Sequence, residues 1–404
     1  MSNLREKFAS WEAVTLGAVC VFKGGSGFKE SFQGTESGEH PFIKVSDLNL
    51  PGNEKYVLHS NNWVSAAELK LLKATLQPIG ATVFAKVGAA LKLNRRRVLV
   101  RPTVIDNNMM AAIPDETHLN REYLYYFLLG EDLGRFSQES AVPSINQGHL
   151  ESIQIPLPPL AEQRKIAEIL RTWDEAIETA EAELGSLVMQ LKGLLQDVAL
   201  KISKGKAPSG WIDKQIGDLV VEVDRRVEWD DDMTYKLVSC ARRSGGIFHR
   251  ENKLGSEIAV KKMQEIRDGD FILSRMQVLH GGWAMVNPDF AGCHVSDMYM
   301  ILEPRAERLH MPYFDWISRT SWIRHLAYLA SYGVHIEKMT FVPKLFLKAK
   351  IRIPDSIAEQ QRIVSILDGF SQKIEVSRKH LELLHMQKRG LMQKLLTGEV
   401  RVAA

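Results

Sequence analysis

The sequence predicts an α/β protein in which two globular α/β domains alternate with two long helices that pair as an antiparallel coiled coil, all built on a pseudo-twofold internal repeat. Three observations lead there. First, IQIPLPPLAEQRKIAEILRTWDEAIE from Ile153 returns as IRIPDSIAEQQRIVSILDGFSQKIE from Ile351, with one residue fewer just after the Ile-x-Ile-Pro strand, and MQLKGLLQ from Met189 returns as MQKRGLMQ from Met386, which sets the offset at 197 residues beyond that point. Second, both copies carry apolar residues at alternating steps of four and three, the 3.5-residue period of a left-handed coiled coil. Third, the stretches between the copies diverge and mix short β-like runs with glycine turns. A chain of 404 residues suits two to four domains, and 45% hydrophobic with 25% charged residues excludes bulk disorder.

Each element follows from local chemistry. Trp11, Leu16 and Gly17 open the first domain, residues 1–152, and Trp211, Ile216 and Gly217 open the second, residues 206–350. Strands are expected at PFIKVSDL, ATVFAKVG and RRVLVRP in the first domain, and at YKLVS, DFILSR and DMYMILEP in the second. Helices are expected at NREYLYYFLLG from Asn120 and PYFDWISRTSWIRHLAY from Pro312. The long helices occupy regions 153–205 and 351–404. Pro158 and Pro159 mark the start of one, the Ser356–Glu359 capping box starts the other, and Gly205 and Gly398 stop them. Ile166, Leu170, Trp173, Ile177 and Leu184 form a seam repeated at Ile363, Leu367, Phe370, Ile374 and Leu381, and we assign these ten residues to the subunit interface. Ser377 and Lys388 interrupt the second seam. Gly193 and Gly390 fall inside the helices at matching positions, where a close crossing of backbones is expected.

Composition narrows the function. Cys20, Cys240 and Cys293 lie far apart with no C-x-x-C pair, which excludes a zinc ribbon and disfavours a disulfide framework. The opening residues lack the apolar core of a signal peptide and no run approaches a spanning helix, so a cytoplasmic protein without membrane attachment is expected. A formal charge of +3 permits an anionic partner without requiring one. FKGGSGF from Phe22 has a G-x-G but puts Glu30 at the third glycine position, and no long helix follows, so a nucleotide site is not expected there. P-loop, H-E-x-x-H and G-x-S-x-G motifs are absent, as is the Asn/Asp-Pro-Pro-aromatic signature of an amino-methyltransferase. No catalytic residue and no metal site is therefore assigned. Basic residues cluster instead. Arg95, Arg96 and Arg97 follow Lys92, and the second domain carries Arg225, Arg226, Arg242, Arg243, Arg250 and Arg275. Such clusters supply phosphate contacts, and arginine also reads guanine edges.

Two copies of I-x-I-P followed by A-E-Q-x-x-I-x-x-I-L, each after a variable domain, with LMQKLLTGEVRV at the end, resemble the specificity subunit of a type I restriction-modification system across the whole chain. The resemblance implies two target recognition domains that read the halves of a bipartite, asymmetric double-stranded DNA site. It also implies a helical spacer, docking of two methyltransferase subunits, and restriction-translocation subunits that complete the nuclease. S-adenosylmethionine, ATP and Mg would belong to those partners, with no cofactor and no catalysis in this chain. It further implies that the loop after the first strand and the turn before I-x-I-P face DNA. Here these hold Lys23, Ser26 and Lys29, and Ser144, Asn146 and Gln147, with Arg225, Arg226, Tyr332 and His335 as counterparts. The helices taken alone also suit a protein-only coiled-coil scaffold that never touches DNA.

Overall fold

The structure is a computed structural model that describes residues 11–136, 143–203, 205, 207–305, 307–335 and 339–403. It divides into two compact units. One holds the chain up to Glu181 together with the segment from His380 onward, and the other is Ala182–Lys379. The first long helix, Leu160–Ser203, begins in the first unit and ends in the second, while the other, Ile357–Thr397, does the reverse. Both start where the sequence signals place them. Gly205 and Gly398 follow the ends with φ of +100° and +77°, the left-handed conformation in which glycine closes a helix without a Cβ clash.

In the first unit a five-stranded sheet runs in the order Cys20–Gly24, Met109–Pro114, Thr82–Ala85, Arg97–Leu99, Tyr56–Val57. A four-stranded sheet joins Trp63–Val64, His40–Ile43, Thr103–Ile105 and Leu76–Gln77. The second unit repeats this plan with one edge strand fewer, its sheets ordered Val220–Val223, Tyr299–Pro304, Phe271–Ser274, Trp283–Met285, and Ile247–Leu254, Thr234–Cys240, His294–Ser296, Met263–Glu265. Thr82–Ala85 and Phe271–Ser274, the corresponding inner strands, are buried at every residue, which is why they read as continuous apolar runs rather than as alternation. A ribbon closes each domain: Ala13–Thr15 pairs with Gln154–Pro156, and Trp211–Gln215 pairs with Lys350–Pro354. The weak echo of the opening tryptophans is thus the start of equivalent strands, each held to the I-x-I-P strand that leads into a long helix.

The A-E-Q motif fixes the junction. Gln163 is fully buried; its amide nitrogen donates to the carbonyls of His118 and Pro158, at 2.9 and 2.8 Å, and its oxygen accepts from the Asn120 amide at 2.8 Å. Gln360, also fully buried, donates to the carbonyls of Arg308 and Pro354 and accepts from the His310 amide at 2.8 Å. These contacts join each long helix to the segment that starts the domain's own helix, Arg121–Gly130 or Met311–Ser318. Tyr123, Tyr126, Phe22 and Phe84 then pack with Ile166, Leu170, Met392 and Leu395. Phe271, Trp283, Phe314 and Ile317 pack with Val198, Ile202, Val364 and Leu367.

Within the first unit the ion pairs Glu162–Arg401, Asp174–Lys388 and Glu181–His385 run in opposite order on the two helices, so the pair is antiparallel there. Lys388, the polar break in the seam, meets Asp174, which also accepts from the Tyr126 hydroxyl at 2.6 Å and from Lys55 at 3.2 Å. The seam assignment stays a proposal: Ile166, Leu170, Ile177, Leu367 and Ile374 are buried and Trp173, Leu184, Ile363, Phe370 and Leu381 half-buried, with Ile166 and Leu170 in the core of the first unit and Ile363 and Leu367 in that of the second. Two sequence expectations need correction. Gly193 and Gly390 face open space with nothing within 4 Å of an added Cβ, so no backbone crosses closely there. The helix expected from Pro312 is two helices, Met311–Ser318 and Ser321–Leu329, parted where Thr320 turns its hydroxyl onto the Ile317 carbonyl.

Candidate nucleic-acid interface

In the first unit, Gly24 lies opposite Met110, Met110 opposite Phe84, and Val83 opposite Arg97. The connections after Gly24 and Ala85 and those before Met109 and Arg97 therefore leave the sheet at one end. Backbone bonds tie them together: Ser26 to the Ile105 carbonyl (2.9 Å), Lys86 to the Asn108 carbonyl (2.8 Å), Ile145 to the Lys86 carbonyl (3.0 Å) and Gly88 to the Pro143 carbonyl (2.8 Å). Ser26, Ser144 and Asn146 are thus brought to this end around Lys86, with Lys23 on the strand that leads there; Lys29 lies further along the same connection, and no contact ties it to them among the described residues. The approach is tight, since a Cβ on Gly25 would lie 1.9 Å from the Asp106 carbonyl oxygen. Asn146 caps the short helix Gln147–Glu151 by accepting from the His149 amide, and Gln147 bonds to Glu151 at 2.7 Å. Sequence reasoning missed Lys86, Asn107 and Asn108; the polar IDNNM break between two apolar runs was the turn signal that marks the last two.

The Arg95–Arg97 cluster comes apart. Arg96 is 1% exposed: its guanidinium lies over the Phe84 ring, 5.0 Å from the centroid, and bonds to Asn94 and the Glu131 carbonyl. Burial pushes its pKa down to about 10, so Arg96 is a core residue and its assignment to DNA contact is withdrawn. Arg97 is half-buried and turns back onto the Arg96 carbonyl at 2.8 Å. Arg95 remains at the sheet end, bonded to Asn49.

In the second unit, Arg225 bonds to Asp270 and Glu303, with its side chain only 13% exposed. The hydrogen bonds to Asp270 raise its pKa despite burial, and this clasp between segments replaces the DNA contact expected of it. Arg226 pairs with Asp224, and Arg250 sits exposed at the bulge of the edge strand Ile247–Leu254, where charge also guards against edge pairing. Arg242, Arg243 and Arg275 do converge. The turn Ala241–Gly246 docks on the loop Arg275–Gly282 through Arg243 N to the His280 carbonyl (2.6 Å), Ser244 N to the Gly281 carbonyl (2.9 Å) and Arg242 Nε to Gln277 Oε1 (3.0 Å). Arg275 also pairs with Glu222 at 2.7 Å. Tyr332 and His335 are exposed beyond the helix Ser321–Leu329, and residues 336–338 lie outside the described part. Among the described residues, no group of three or more His, Cys, Asp or Glu is placed to hold a metal ion, and no helix is long and apolar enough to cross a membrane.

Comparison with known proteins fits this duplicated design. Residues 9–186 match the type I restriction modification DNA specificity domain. The type I restriction enzyme MjaVIII specificity subunit of Methanocaldococcus jannaschii is 23% identical over 97% of this chain and 93% of its own. Over nearly its whole length the chain is similar to type I specificity subunits. The EcoR124I/EcoR124II specificity subunit of Escherichia coli is 26% identical over 43% of this chain and 42% of its own. Among solved structures, the S subunit of a type I system from M. genitalium aligns at a TM-score of 0.55 and 14% identity, covering 98% of each chain. The HsdS subunit of Thermoanaerobacter tengcongensis aligns at 0.52 and 15%, covering 96% of this chain and 97% of that one. At these identities the structural likeness speaks for the fold.

Proposed function

We propose that this chain is a non-catalytic specificity subunit that reads a bipartite, asymmetric double-stranded DNA site, one half through each target recognition domain, residues 1–152 and 206–350, while regions 153–205 and 351–404 set the gap. The observation that carries the reading is the repeated order of the shared strands with different side chains at the same sheet end: Lys23, Ser26, Lys86, Arg95 and Ser144 in one unit, Arg242, Arg243 and Arg275 in the other. Lys29 is kept in the proposed set on its place in the first connection. One frame presenting two sets of donors suits two different half-sites, since phosphate contacts position while base contacts specify. Arg226, Arg250, Tyr332 and His335 are exposed and remain in the proposed contact set. Half-sites about one helical turn apart, roughly 10 bp centre to centre, fit two domains on one face of a duplex.

The same reading makes the chain a scaffold for two methyltransferase subunits and for restriction-translocation subunits in the cytoplasm. S-adenosylmethionine, ATP and Mg are then held by those partners. Long-read methylation mapping in cells carrying this subunit and its partners tests the proposal. A bipartite motif that disappears when this chain is deleted is expected; methylation that persists without it, or shows no motif, overturns the reading.

A further inference from the structure

In each unit the connection after the inner strand carries an exposed apolar residue, before the short turn Val278–His280 in the second unit and after the short helix Ala89–Lys92 in the first, and neither residue is among those that composition singled out. In the second unit the connection after the inner strand Phe271–Ser274 carries Met276, 70% exposed, between Arg275 and Gln277. Met298, also exposed, lies on the neighbouring turn, whose carbonyl accepts from the Arg275 amide at 2.9 Å. In the first unit the connection after the inner strand Thr82–Ala85 carries Leu93, 56% exposed, between Lys92 and the pair Asn94–Arg95. A single exposed apolar side chain is ordinary on a protein surface; what sets these two apart is their place among cations at the sheet end.

Both connections are also bonded to the neighbouring loop by an arginine–amide contact, with the arginine on the opposite partner in the two units. Arg242 Nε donates to Gln277 Oε1 in the second unit, and Arg95 donates to Asn49 in the first. Left-handed backbone occurs at non-glycine residues in these clamps: Asn94 has φ of 54°, Arg243 of 60° and Ser244 of 54°. Such residues cost of order a kcal/mol each and persist where surrounding structure dictates them. Here the dictating contacts are the bonds of Arg243 and Ser244 to the backbone of His280 and Gly281. Gly282 permits the fit, since a Cβ on it would stand 2.6 Å from the Gln277 Cβ. The apolar tips are therefore held, not loose.

We propose that Leu93 and Met276 are specificity-determining residues, each making the apolar base contact of its own half-site while the flanking cations hold phosphates. The partner chemistry is an apolar base surface, either the 5-methyl group of thymine or the face of a partly unstacked base step; leucine and methionine serve both uses. This rests on the DNA-reading function proposed above.

The test uses the full chain assembled with its methyltransferase subunits, as parent, Leu93→Ala and Met276→Ala, each selecting from a randomised duplex library. Both side chains are exposed, so melting temperatures should match the parent. The expected result is that Leu93→Ala relaxes one or two positions in one half of the selected motif, and Met276→Ala does so in the other half. Discrimination at those positions should fall on the order of tenfold, with the gap kept. Uracil in place of thymine at a relaxed position identifies the source. A matching loss for the parent and none for the variant marks the methyl group, and no effect on either marks the base step. Parental motifs from both variants, or relaxation from only one, overturn the inference. A parent complex that selects no motif overturns the DNA-reading function itself, which keeps the two failures apart.

Discussion

At the residue scale, three neighbouring arginines have three different fates, and burial decides them. Arg96→Ala empties a space beneath Phe84 and leaves the Glu131 carbonyl without its guanidinium partner. It should lower unfolding free energy by about 2–4 kcal/mol, measured by urea titration. Arg95→Ala should leave stability within about 0.5 kcal/mol and reduce the salt slope of DNA binding by about one counterion. Equal slopes for parent and variant would make Arg95 a bystander. The clustering of these residues was legible in the sequence, but their separation was not, because which side of a strand turn faces the core depends on the Arg121–Gly130 segment packed over it. His294 is a second case. It is buried beside the Tyr235 ring, and burial lowers its pKa against the opposing pull of Glu265. Neutral imidazole is thus favoured in the fold, so its contribution is complete above the unfolded value near 6.5 and fades as pH falls below it. The stability of the parent relative to His294→Phe should drop between pH 7 and 5 by at most about 1.4 kcal/mol per pH unit. A difference independent of pH would show that the ring does not titrate against the fold.

At the scale of elements, the long helices were the most legible part, because a 3.5-residue period and end signals are local. Their polar breaks were not. Lys388 reads in sequence as a defect in the seam, yet it completes a cluster with Asp174, Tyr126 and Lys55. Asp174→Ala would strand two half-buried ammonium groups and should cost about 3–5 kcal/mol, whereas Lys388→Met with Asp174→Asn together should cost much less. A double-mutant cycle by chemical denaturation checks this, and additive losses would mean the pair does not interact. In the globular halves, the apolar runs gave away the inner strands, while the sheet end where candidate contacts gather was legible only in fragments. Lys23, Ser144 and Lys86 are far apart in sequence and meet only through backbone bonds that no residue pattern encodes.

At the scale of the whole molecule, two units share one strand order with little sequence in common, so their specificities should be separable. Exchanging residues 206–350 for the equivalent region of a relative should change one half of the methylated motif and keep the other half and the gap, as read by methylation mapping. Both halves changing together would mean that the units read DNA cooperatively. The junction explains why such an exchange has a physical chance. Gln163 and Gln360 hold their domains entirely through main-chain atoms: the carbonyls of His118 and Pro158 and the amide of Asn120 in one case, the carbonyls of Arg308 and Pro354 and the amide of His310 in the other. Every amino acid offers the same carbonyl, and every one except proline the same amide. The glutamine is therefore a universal coupling, indifferent to the side chains of whatever it grips. A lineage that recombines its recognition domains at this seam can draw on cassettes of unrelated composition without re-evolving the joint.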